Sequence, residues 1–314
     1  MIYLLRKFPV QFYILGKTSI SNMYRFLFLF MLLPTLAFSQ QDRKLEKGLR
    51  ELIRYFNGDI GIYVRNLKTG RYVGINEDTI FPTASIVKIP ILVGVFDKIE
   101  KGELKYHQPL IYRDSIKYGG SGLMQFFKDS TETNLSVLLA LMMSYSDNTS
   151  SLWNQALAGG GQRINELMAQ YGLSVTRVNS RTPGREAIRN IYGWGMTTPH
   201  EMAELVVKIR QGEIISKAAS ERMYRLMTHG YYDETGLSQI PPYVQAAHKT
   251  GSVDASRSEV ILVNAPHGDY VFYVGTKNNK DQRWTDENEA ENLIRKISKY
   301  LWEYFEPSGR RKRH

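Results

Sequence analysis

The stretch TASIVKIPIL, residues 83–92, places a serine three residues before a lysine in a run that is otherwise mostly apolar. Ser85 and Lys88 are one helical turn apart, so in a helix their side chains share a face. A purely structural explanation exists, because Thr83 or Ser85 could cap the helix and Lys88 could lay its methylenes on apolar surface. The remainder of the chain has to decide between that explanation and a chemical role.

The composition indicates a globular protein whose body carries little net charge. The chain has 314 residues, of which 43% are hydrophobic and 12% aromatic, so it can bury a sizeable core. The formal net charge of +10 lies at the two ends: residues 1–39 carry +4 and residues 309–314 carry +4, which leaves +2 for the body. We therefore predict no nucleic-acid partner.

The first 39 residues have the pattern of an export signal. From Met23 the chain reads MYRFLFLFMLLPTLAFSQQ, with one positive charge, an apolar run and a small-x-small pattern before Gln40. We predict a signal peptide at 1–39, a periplasmic or secreted protein, and no stable membrane insertion after leader removal. An uncleaved anchor is the alternative, and translation starts at Met1 or Met23. We expect residues 307–314 to be a basic, solvent-exposed tail.

Cysteine and histidine usage argues against two kinds of chemistry. The chain has no cysteine, which excludes a disulfide framework and a thiol nucleophile. The six histidines are scattered, and none makes a metal-ligand spacing such as H-x-x-x-H. We therefore predict no metal and no cofactor.

Hydrophobic periodicity predicts strands near both ends of the chain and helices between them. Helices are predicted at 42–56, 84–103, 135–146, 162–172, 197–213 and 285–305, with a loop at 174–197. Strands are predicted at 58–67, 71–78, 246–252, 258–266 and 269–277. The natural assembly is one antiparallel sheet with terminal helices packed on it and an all-helical insertion. We expect one domain at 40–306, with an α/β part at 40–84 and 246–306 and a helical part at 85–245.

Three short motifs follow one another along the chain. Ser85-Ile86-Val87-Lys88 opens a buried helix, Ser146-Asp147-Asn148 ends another, and Lys249-Thr250-Gly251 lies in a strand. A second KTG at residues 68–70 falls in a predicted hairpin turn, so we assign it no chemical role.

Two serines and two lysines are sufficient for acyl transfer without histidine. Ser85 becomes a nucleophile once Lys88 removes its proton, which requires a lysine pKa about three units below its usual value of about 10.4, or about 4 kcal/mol. Burial and the charge of Lys249 both act in that direction. Ser146 can relay a proton to the leaving nitrogen, and the backbone N–H groups of Ser85 and Ser252 can form an oxyanion hole.

The order and separation of these motifs resemble the class A serine β-lactamases and their penicillin-recognising relatives. The resemblance covers most of residues 42–306. It implies an α/β (α+β) fold of the class A β-lactamase type, with a five-stranded antiparallel sheet flanked by terminal helices and an inserted all-helical domain. It also implies a monomer whose substrate is a small β-lactam or a peptidoglycan-like molecule.

The resemblance assigns a role to each matching residue. Ser85 is the acylated nucleophile, Lys88 its partner base and Ser146 a proton shuttle. The residues that hold the substrate or line its site are Asn148, Lys249, Thr250, Gly251 and Ser252. Arg257 is a candidate for an additional arginine that binds the substrate carboxylate, although it falls at no secure family position and could equally be a surface strand arginine.

One loop departs from the family pattern. Class A enzymes carry Glu-Pro-x-x-Asn there, and the glutamate activates the water that removes the acyl group. Here residues 179–190 read NSRTPGREAIRN, and counting from both flanks puts Thr182 at the glutamate position and Glu186 at the asparagine position. Either Glu186 holds the water and turnover survives, which we prefer, or Glu186 pairs with Arg185 or Arg189 and deacylation is slow.

Three functional hypotheses follow from the motifs. The first is β-lactam hydrolysis through a serine acyl-enzyme. The second is a D-Ala-D-Ala peptidase or esterase of the same superfamily, which the altered loop keeps open. The third is a penicillin-binding sensor that acylates or binds without efficient turnover.

Overall fold

A computed structural model describes residues 40–307 of the chain. The predicted signal peptide, the two candidate start codons and residues 308–314 of the predicted tail lie outside the described residues. The strands are β1 Asp59–Asn66, β2 Tyr72–Ile75, β3 Phe81–Pro82, β4 Pro109–Ile111, β5 Glu132–Asn134, β6 Arg177–Val178, β7 Gly195–Thr197, β8 Ala246–Val253, β9 Ser256–Val263 and β10 Tyr270–Lys277. The α-helices are α1 Arg43–Ile53, α2 Lys88–Glu100, α3 Leu135–Ser144, α4 Asn148–Leu157, α5 Gly160–Gln170, α6 Glu186–Tyr192, α7 Pro199–Gln211, α8 Lys217–Met227 and α9 Glu289–Phe305.

The main sheet has five strands in the order β2-β1-β10-β9-β8, and every neighbouring pair is antiparallel. Its first two strands form the predicted hairpin, and its last three follow one another near the C-terminal end of the sequence. The prediction of one mixed α and β fold, with a single sheet built from both chain ends, is therefore confirmed. Strand β8 forms one edge of this sheet, so the second KTG motif lies at an edge.

Both faces of the sheet are covered by apolar side chains. The terminal helices α1 and α9 pack on one face, where Leu49, Ile62, Phe272 and Leu301 are fully buried. The other face packs against helices of the central part of the chain in a second, larger core. Because this second core runs from the sheet into the helices without a break, the proposed division into an α/β part and a helical part stays a prediction.

The helix predicted at 84–103 begins later than expected. Residues Ala84–Val87 form a 3-10 turn, and the α-helix starts only at Lys88. Ala84 has a φ of +43°, a left-handed conformation that an α-helix does not accept. Pro90 fits this later start because the first turn of a helix leaves its N–H groups without intrahelical partners.

The loop predicted at 174–197 contains regular structure. Helix α6 and the short strands β6 and β7 lie within it, and β7 pairs with both β3 and β6. None of the seven residues of α6 is buried, so the sequence shows no apolar face from which this helix could have been predicted. Helix α8, which begins at its cap Ser216, was also not predicted.

Helix α7 begins as the sequence predicts. The Thr198 hydroxyl accepts from the Glu201 backbone N–H at 3.1 Å, and Pro199 occupies the first helical position. Between residues 40 and 307, the helices are too short or too polar to cross a membrane.

Candidate active site

Ser85 lies in the 3-10 turn between strand β3 and helix α2. It is half-buried, whereas its neighbours Ala84 and Ile86 are buried. The left-handed backbone of Ala84 immediately before it redirects the chain, and a non-glycine residue in that region typically costs about 1–2 kcal/mol. The turn therefore presents one hydroxyl to a cleft and keeps the flanking apolar side chains in the core.

The Lys88 ammonium nitrogen is surrounded by four oxygen atoms. Nζ lies 2.9 Å from Ser85 Oγ, 2.9 Å from Ser146 Oγ, 2.6 Å from the Ser146 carbonyl oxygen and 3.1 Å from Asn148 Oδ1. The two carbonyl-type oxygens can only accept hydrogen bonds, whereas the two hydroxyls can also donate. A neutral amine at this position therefore donates its two N–H groups to the carbonyls and directs its lone pair at a serine hydroxyl.

The environment of Lys88 favours that neutral form. The side chain is completely buried, and this burial is the largest reason why its pKa lies well below the usual lysine value. The positive charge of Lys249 lowers the pKa of Lys88 further, while the Asp147 carboxylate opposes the shift. The arrangement gives Lys88 the properties of a general base.

The SDN motif occupies the connection between helices α3 and α4. Ser146 has a φ of +51°, which turns the chain sharply between the two helices. The buried Asp147 carboxylate caps α4 by accepting from Ser150 N at 2.7 Å, and it also accepts from Met124 N at 2.7 Å. Because Asp147 is fixed in this way, Ser146 and Asn148 on either side of it are held toward Lys88.

The KTG strand β8 runs close beside the Ser85 turn. A Cβ atom on Gly251 would lie 2.3 Å from the Thr83 carbonyl oxygen, so only glycine permits this approach. Burial lowers the pKa of Lys249 to about 8, and the Glu259 carboxylate opposes that shift. Lys249 Nζ donates to the Thr250 carbonyl at 3.0 Å.

A cleft of about 510 Å³ lies over Ser85. Five of the residues predicted for the site line it: Ser85, Ser146, Asn148, Thr250 and Ser252. Eight further residues complete its walls: Ser121, Tyr232, Glu234, Thr235, Trp284, Thr285, Asp286 and Glu291. Six of the eight come from the irregular segments around 232–235 and 284–286. No motif or periodicity marked the first segment, and the sequence placed Thr285 and Asp286 in the helix predicted at 285–305, whereas α9 begins only at Glu289.

The structure uses Arg257 for internal contacts. The side chain is buried, and Nε donates to the Glu291 carboxylate at 2.9 Å. Nη2 donates to the Arg283 carbonyl at 3.1 Å, and the guanidinium lies 4.3 Å from the centre of the Trp284 ring. Arg257 is thus neither a surface arginine nor among the residues that line the cleft, and its assignment to substrate binding receives no support from this geometry.

Glu186 and Thr182 are not among the residues that line the cleft. Glu186 is exposed at the start of α6, accepts from Gly184 N at 3.2 Å, and lines a separate depression with Thr182. The Thr182 hydroxyl is buried and donates to the Ser180 carbonyl at 3.0 Å. Chain counting placed Glu186 near the catalytic position, but the helix that begins there turns its carboxylate into this other depression. The alternative ion pair with Arg185 or Arg189 does not form among residues 40–307 either.

Comparison with known proteins agrees with the chemistry that the site geometry indicates. The sequence model of the Beta-lactamase enzyme family matches residues 44–305. β-Lactamase VEB-1 of Pseudomonas aeruginosa is 23% identical over 89% of this chain and 96% of its own length, and a β-lactamase of Bacteroides uniformis is 24% identical over 88% and 96%. The solved structure of PBP-A superposes with a TM-score of 0.76 at 26% identity, covering 85% of this chain and 98% of PBP-A.

The chain belongs to the β-lactamase enzyme family. Its family model covers most of the sequence, including the three motifs and both terminal helices. Membership makes the protein a hydrolase of the class that acts on β-lactams, and it is compatible both with β-lactam hydrolysis and with a penicillin-binding type of activity.

Proposed function

We propose that Ser85 is acylated by β-lactams and that the resulting acyl-enzyme is hydrolysed slowly. The contact that carries this proposal is the 2.9 Å approach of Lys88 Nζ to Ser85 Oγ inside a buried pocket. Burial and the charge of Lys249 lower the pKa of Lys88, and its uncharged form can take the serine proton directly as the oxygen attacks.

In the acylation step, every proton transfer uses a side chain of this protein. Ser85 Oγ attacks the lactam carbonyl, and its proton passes to Lys88 Nζ. The backbone N–H groups of Ser85 and Ser252 stabilise the oxyanion that forms. As the carbon–nitrogen bond of the ring breaks, Lys88 returns a proton through the Ser146 hydroxyl, 2.9 Å away, to the lactam nitrogen. The product is an ester of Ser85 with an opened ring.

The substrate carboxylate is held at the β8 edge in this proposal. Lys249 supplies a positive charge below pH about 8, and Thr250 and Ser252 supply hydroxyl donors on the cleft wall. Asn148 places its amide between Lys88 and the Gly119 carbonyl, to which it donates at 3.2 Å, so it orients the base and the substrate amide together.

Slow hydrolysis follows from the positions of Thr182 and Glu186. Hydrolysis of the ester needs a base beside a water molecule on the acyl carbon. Thr182 has no carboxylate, and Glu186 faces a different depression. A change of either residue would therefore alter acylation very little.

The acylation proposal is tested by labelling the chain with a fluorescent penicillin. We expect stoichiometric covalent label on the unaltered chain, none on Ser85→Ala, and labelling at least about a hundredfold slower for Lys88→Met because the general base is lost. Undiminished labelling of Ser85→Ala would remove Ser85 as the nucleophile.

A second candidate function is cleavage of peptides or esters that end in D-Ala-D-Ala. One observation favours it: Glu186, which carries the carboxylate of the 179–190 loop, lines a separate depression and is not among the residues that line the cleft. Incubation with a diacyl-D-Ala-D-Ala peptide and its thioester analogue separates the candidates. Release of D-Ala or thiol that depends on Ser85 would establish the peptidase or esterase activity, and intact substrates would leave β-lactam acylation alone.

We also propose export to the periplasm or the exterior, on the strength of the apolar leader pattern at 1–39. The test is N-terminal sequencing of the protein recovered from a bacterial host. A new N-terminus near Gln40 in the periplasmic fraction is expected, and an intact leader in the membrane fraction would contradict the proposal.

A further inference from the structure

Glu259, a carboxylate that takes no part in the proposed reaction, is buried next to the cleft. Glu259 on β9 is completely buried and lies directly opposite Thr250 of β8, which lines the cleft. A buried carboxylate is costly unless it is well hydrogen-bonded. Oε2 accepts from Thr235 Oγ1 at 2.7 Å and from Gly236 N at 2.7 Å, so this carboxylate is attached to a segment far from it in sequence.

That segment, residues 230–236, forms one wall of the cleft. Tyr232, Glu234 and Thr235 line the cleft, and Thr235 is the residue whose hydroxyl reaches Glu259. The segment has no helix or strand until Gly236, where a short 3-10 turn begins. Its position therefore depends on contacts with its neighbours.

Both ends of the segment are attached to the β8–β9 pair. At one end, Gly230 packs on His248, whose Nε2 would lie 2.1 Å from a Cβ at that glycine. His248 Nδ1 in turn lies 3.3 Å from Glu259 Oε1. At the other end, Thr235 and Gly236 donate to Glu259 Oε2. Glu259 thus binds one end of the segment directly and is linked to the other end through His248.

The middle of the segment reaches the opposite wall. The Tyr231 backbone N–H donates to the Ser144 carbonyl at 2.9 Å, at the end of helix α3. The Tyr231 ring stacks on Tyr145 with centroids 5.0 Å apart, and the Tyr232 hydroxyl lies 3.3 Å from Ser121 Oγ. The segment therefore bridges the wall that carries Ser146 and the edge that carries Lys249.

We propose that Glu259 is a positioning residue of the active site: its carboxylate holds residues 230–236 against strand β8 and so keeps the two walls of the cleft in register. This inference rests on the acylation proposed above. Glu259 touches neither the substrate nor Ser85, and it acts through Thr235, Gly236 and the neighbouring strand.

Glu259 also influences the charge of the cleft edge. Its carboxylate opposes the effect of burial on the pKa of Lys249, which stands at about 8. The other charged or titratable groups of this network are Lys88, on which Lys249 acts, Asp147, which acts on Lys88, and His248, which contacts Glu259. Without the Glu259 charge, Lys249 loses its proton at a lower pH, a change that a merely structural role of Glu259 would not produce.

The test compares three variants with the unaltered chain. Glu259→Gln keeps the shape and removes the charge, and Thr235→Val removes only the hydroxyl donor. Glu201→Gln is the matched control, because the Glu201 carboxylate likewise accepts from a threonine hydroxyl, that of Thr176, and from the backbone N–H groups of Val175 and Thr176. Glu201 is not among the residues that line the cleft. Two quantities are measured: hydrogen–deuterium exchange of the Gly236 amide, and the rate of acylation by penicillin G between pH 6 and 10.

We expect Glu259→Gln to accelerate Gly236 exchange about tenfold and to slow acylation about tenfold, because a charge-assisted hydrogen bond is lost. The decline of its acylation rate at alkaline pH moves to lower pH. Thr235→Val should slow acylation to the same extent without moving the alkaline decline. If Glu259→Gln does not fold, Thr235→Val is used to test the proposal. Glu201→Gln changes neither quantity.

Unchanged Gly236 exchange in a folded Glu259→Gln or Thr235→Val variant would overturn the positioning role. Unchanged acylation together with an unmoved alkaline decline in Glu259→Gln would overturn it as well. If the unaltered chain is not acylated at all, the proposed function fails, and the exchange measurement still decides whether Glu259 holds the segment.

Discussion

Lys88 and Lys249 are buried within one site, and their mutual repulsion is part of its chemistry. Each is desolvated, and the charge of Lys249 lowers the pKa of Lys88. The lowered pKa makes Lys88 a better proton acceptor than an ordinary lysine, while Lys249 remains charged below pH about 8 and can hold a carboxylate. In the proposed function, Lys88 therefore acts as the base and Lys249 as the cation.

The acylation rate should therefore fall at alkaline pH. As the pH rises through about 8, Lys249 loses its proton and the substrate carboxylate loses its partner. Well above that pH, we expect a fall of about tenfold per pH unit in the acylation rate by penicillin G. In Lys249→Arg the guanidinium stays protonated, so the decline should disappear. A constant rate from pH 7 to 10 in the unaltered chain would contradict this assignment.

Glu186 provides a second prediction for a single residue. Because its carboxylate is exposed in a depression separate from the cleft, Glu186→Gln should leave the acyl-enzyme lifetime within about twofold of the original. The lifetime is read from the decay of the penicillin adduct by intact mass. An adduct that survives tenfold longer in the variant would restore Glu186 as the deacylation base.

Residue identities were more predictable from the sequence than side-chain directions. The motifs identified Ser85, Lys88, Ser146 and Asn148, and the structure brings these four side chains together. Counting along the 179–190 loop gave positions but no orientation, since a short exposed helix decides where the Glu186 carboxylate points. Arg257 likewise gave no sequence sign of its burial against Glu291.

Among the elements, the edge strand β8 and the Ser85 turn approach each other closely through their backbones. Gly251 allows it, because any side chain there would meet the Thr83 carbonyl oxygen. The KTG glycine is thus explained by distance, since its φ is not in the left-handed region.

Gly251→Ala should separate this strand from the turn. We expect acylation to fall at least about a hundredfold and the free energy of unfolding to fall by about 1–3 kcal/mol. Gly94→Ala is the control, since its Cβ would crowd Ile164 at 2.8 Å in the helical core instead of the site. That variant should lose stability while its folded molecules acylate normally. Normal acylation by Gly251→Ala would refute the steric explanation.

Elements with a clear period were predictable, and short irregular ones were not. The hairpin follows from alternating apolar residues and a turn glycine, and the last three strands follow from short apolar runs. Thr198 with Pro199 fixed the start of α7. Helix α6 has no buried face, and the cleft wall at 232–235 has no hydrophobic period. Residues 285 and 286 were predicted to be helical, but they precede α9 and line the cleft. Only tertiary folding brings those segments to Ser85.

At the scale of the whole molecule, the sheet separates two hydrophobic cores, and only one of them packs around the helices of the site. The core beneath α1 and α9 lies on the face away from the central helices, whereas the larger core supports α2 and the helices around the site. Stability and chemistry should therefore be separable by mutation.

Leu301→Ala tests that separation. Leu301 is fully buried on α9, so its truncation should lower the free energy of unfolding by about 2–5 kcal/mol, measured by urea denaturation. The acylation rate per folded molecule should not change, because Leu301 packs in the core beneath α1 and α9 and not in the core that supports α2. A slower rate at a temperature where the variant remains folded would mean that the two cores are coupled.

The most direct test of the central claim follows the acyl-enzyme over time. The chain is mixed with penicillin G, and intact-protein mass spectrometry is recorded from seconds to hours while substrate loss is measured in parallel. The account predicts one adduct of the full penicillin mass, mapped to Ser85, that persists for many minutes with few turnovers. Rapid substrate loss without an accumulating adduct, or an adduct on another residue, would contradict it.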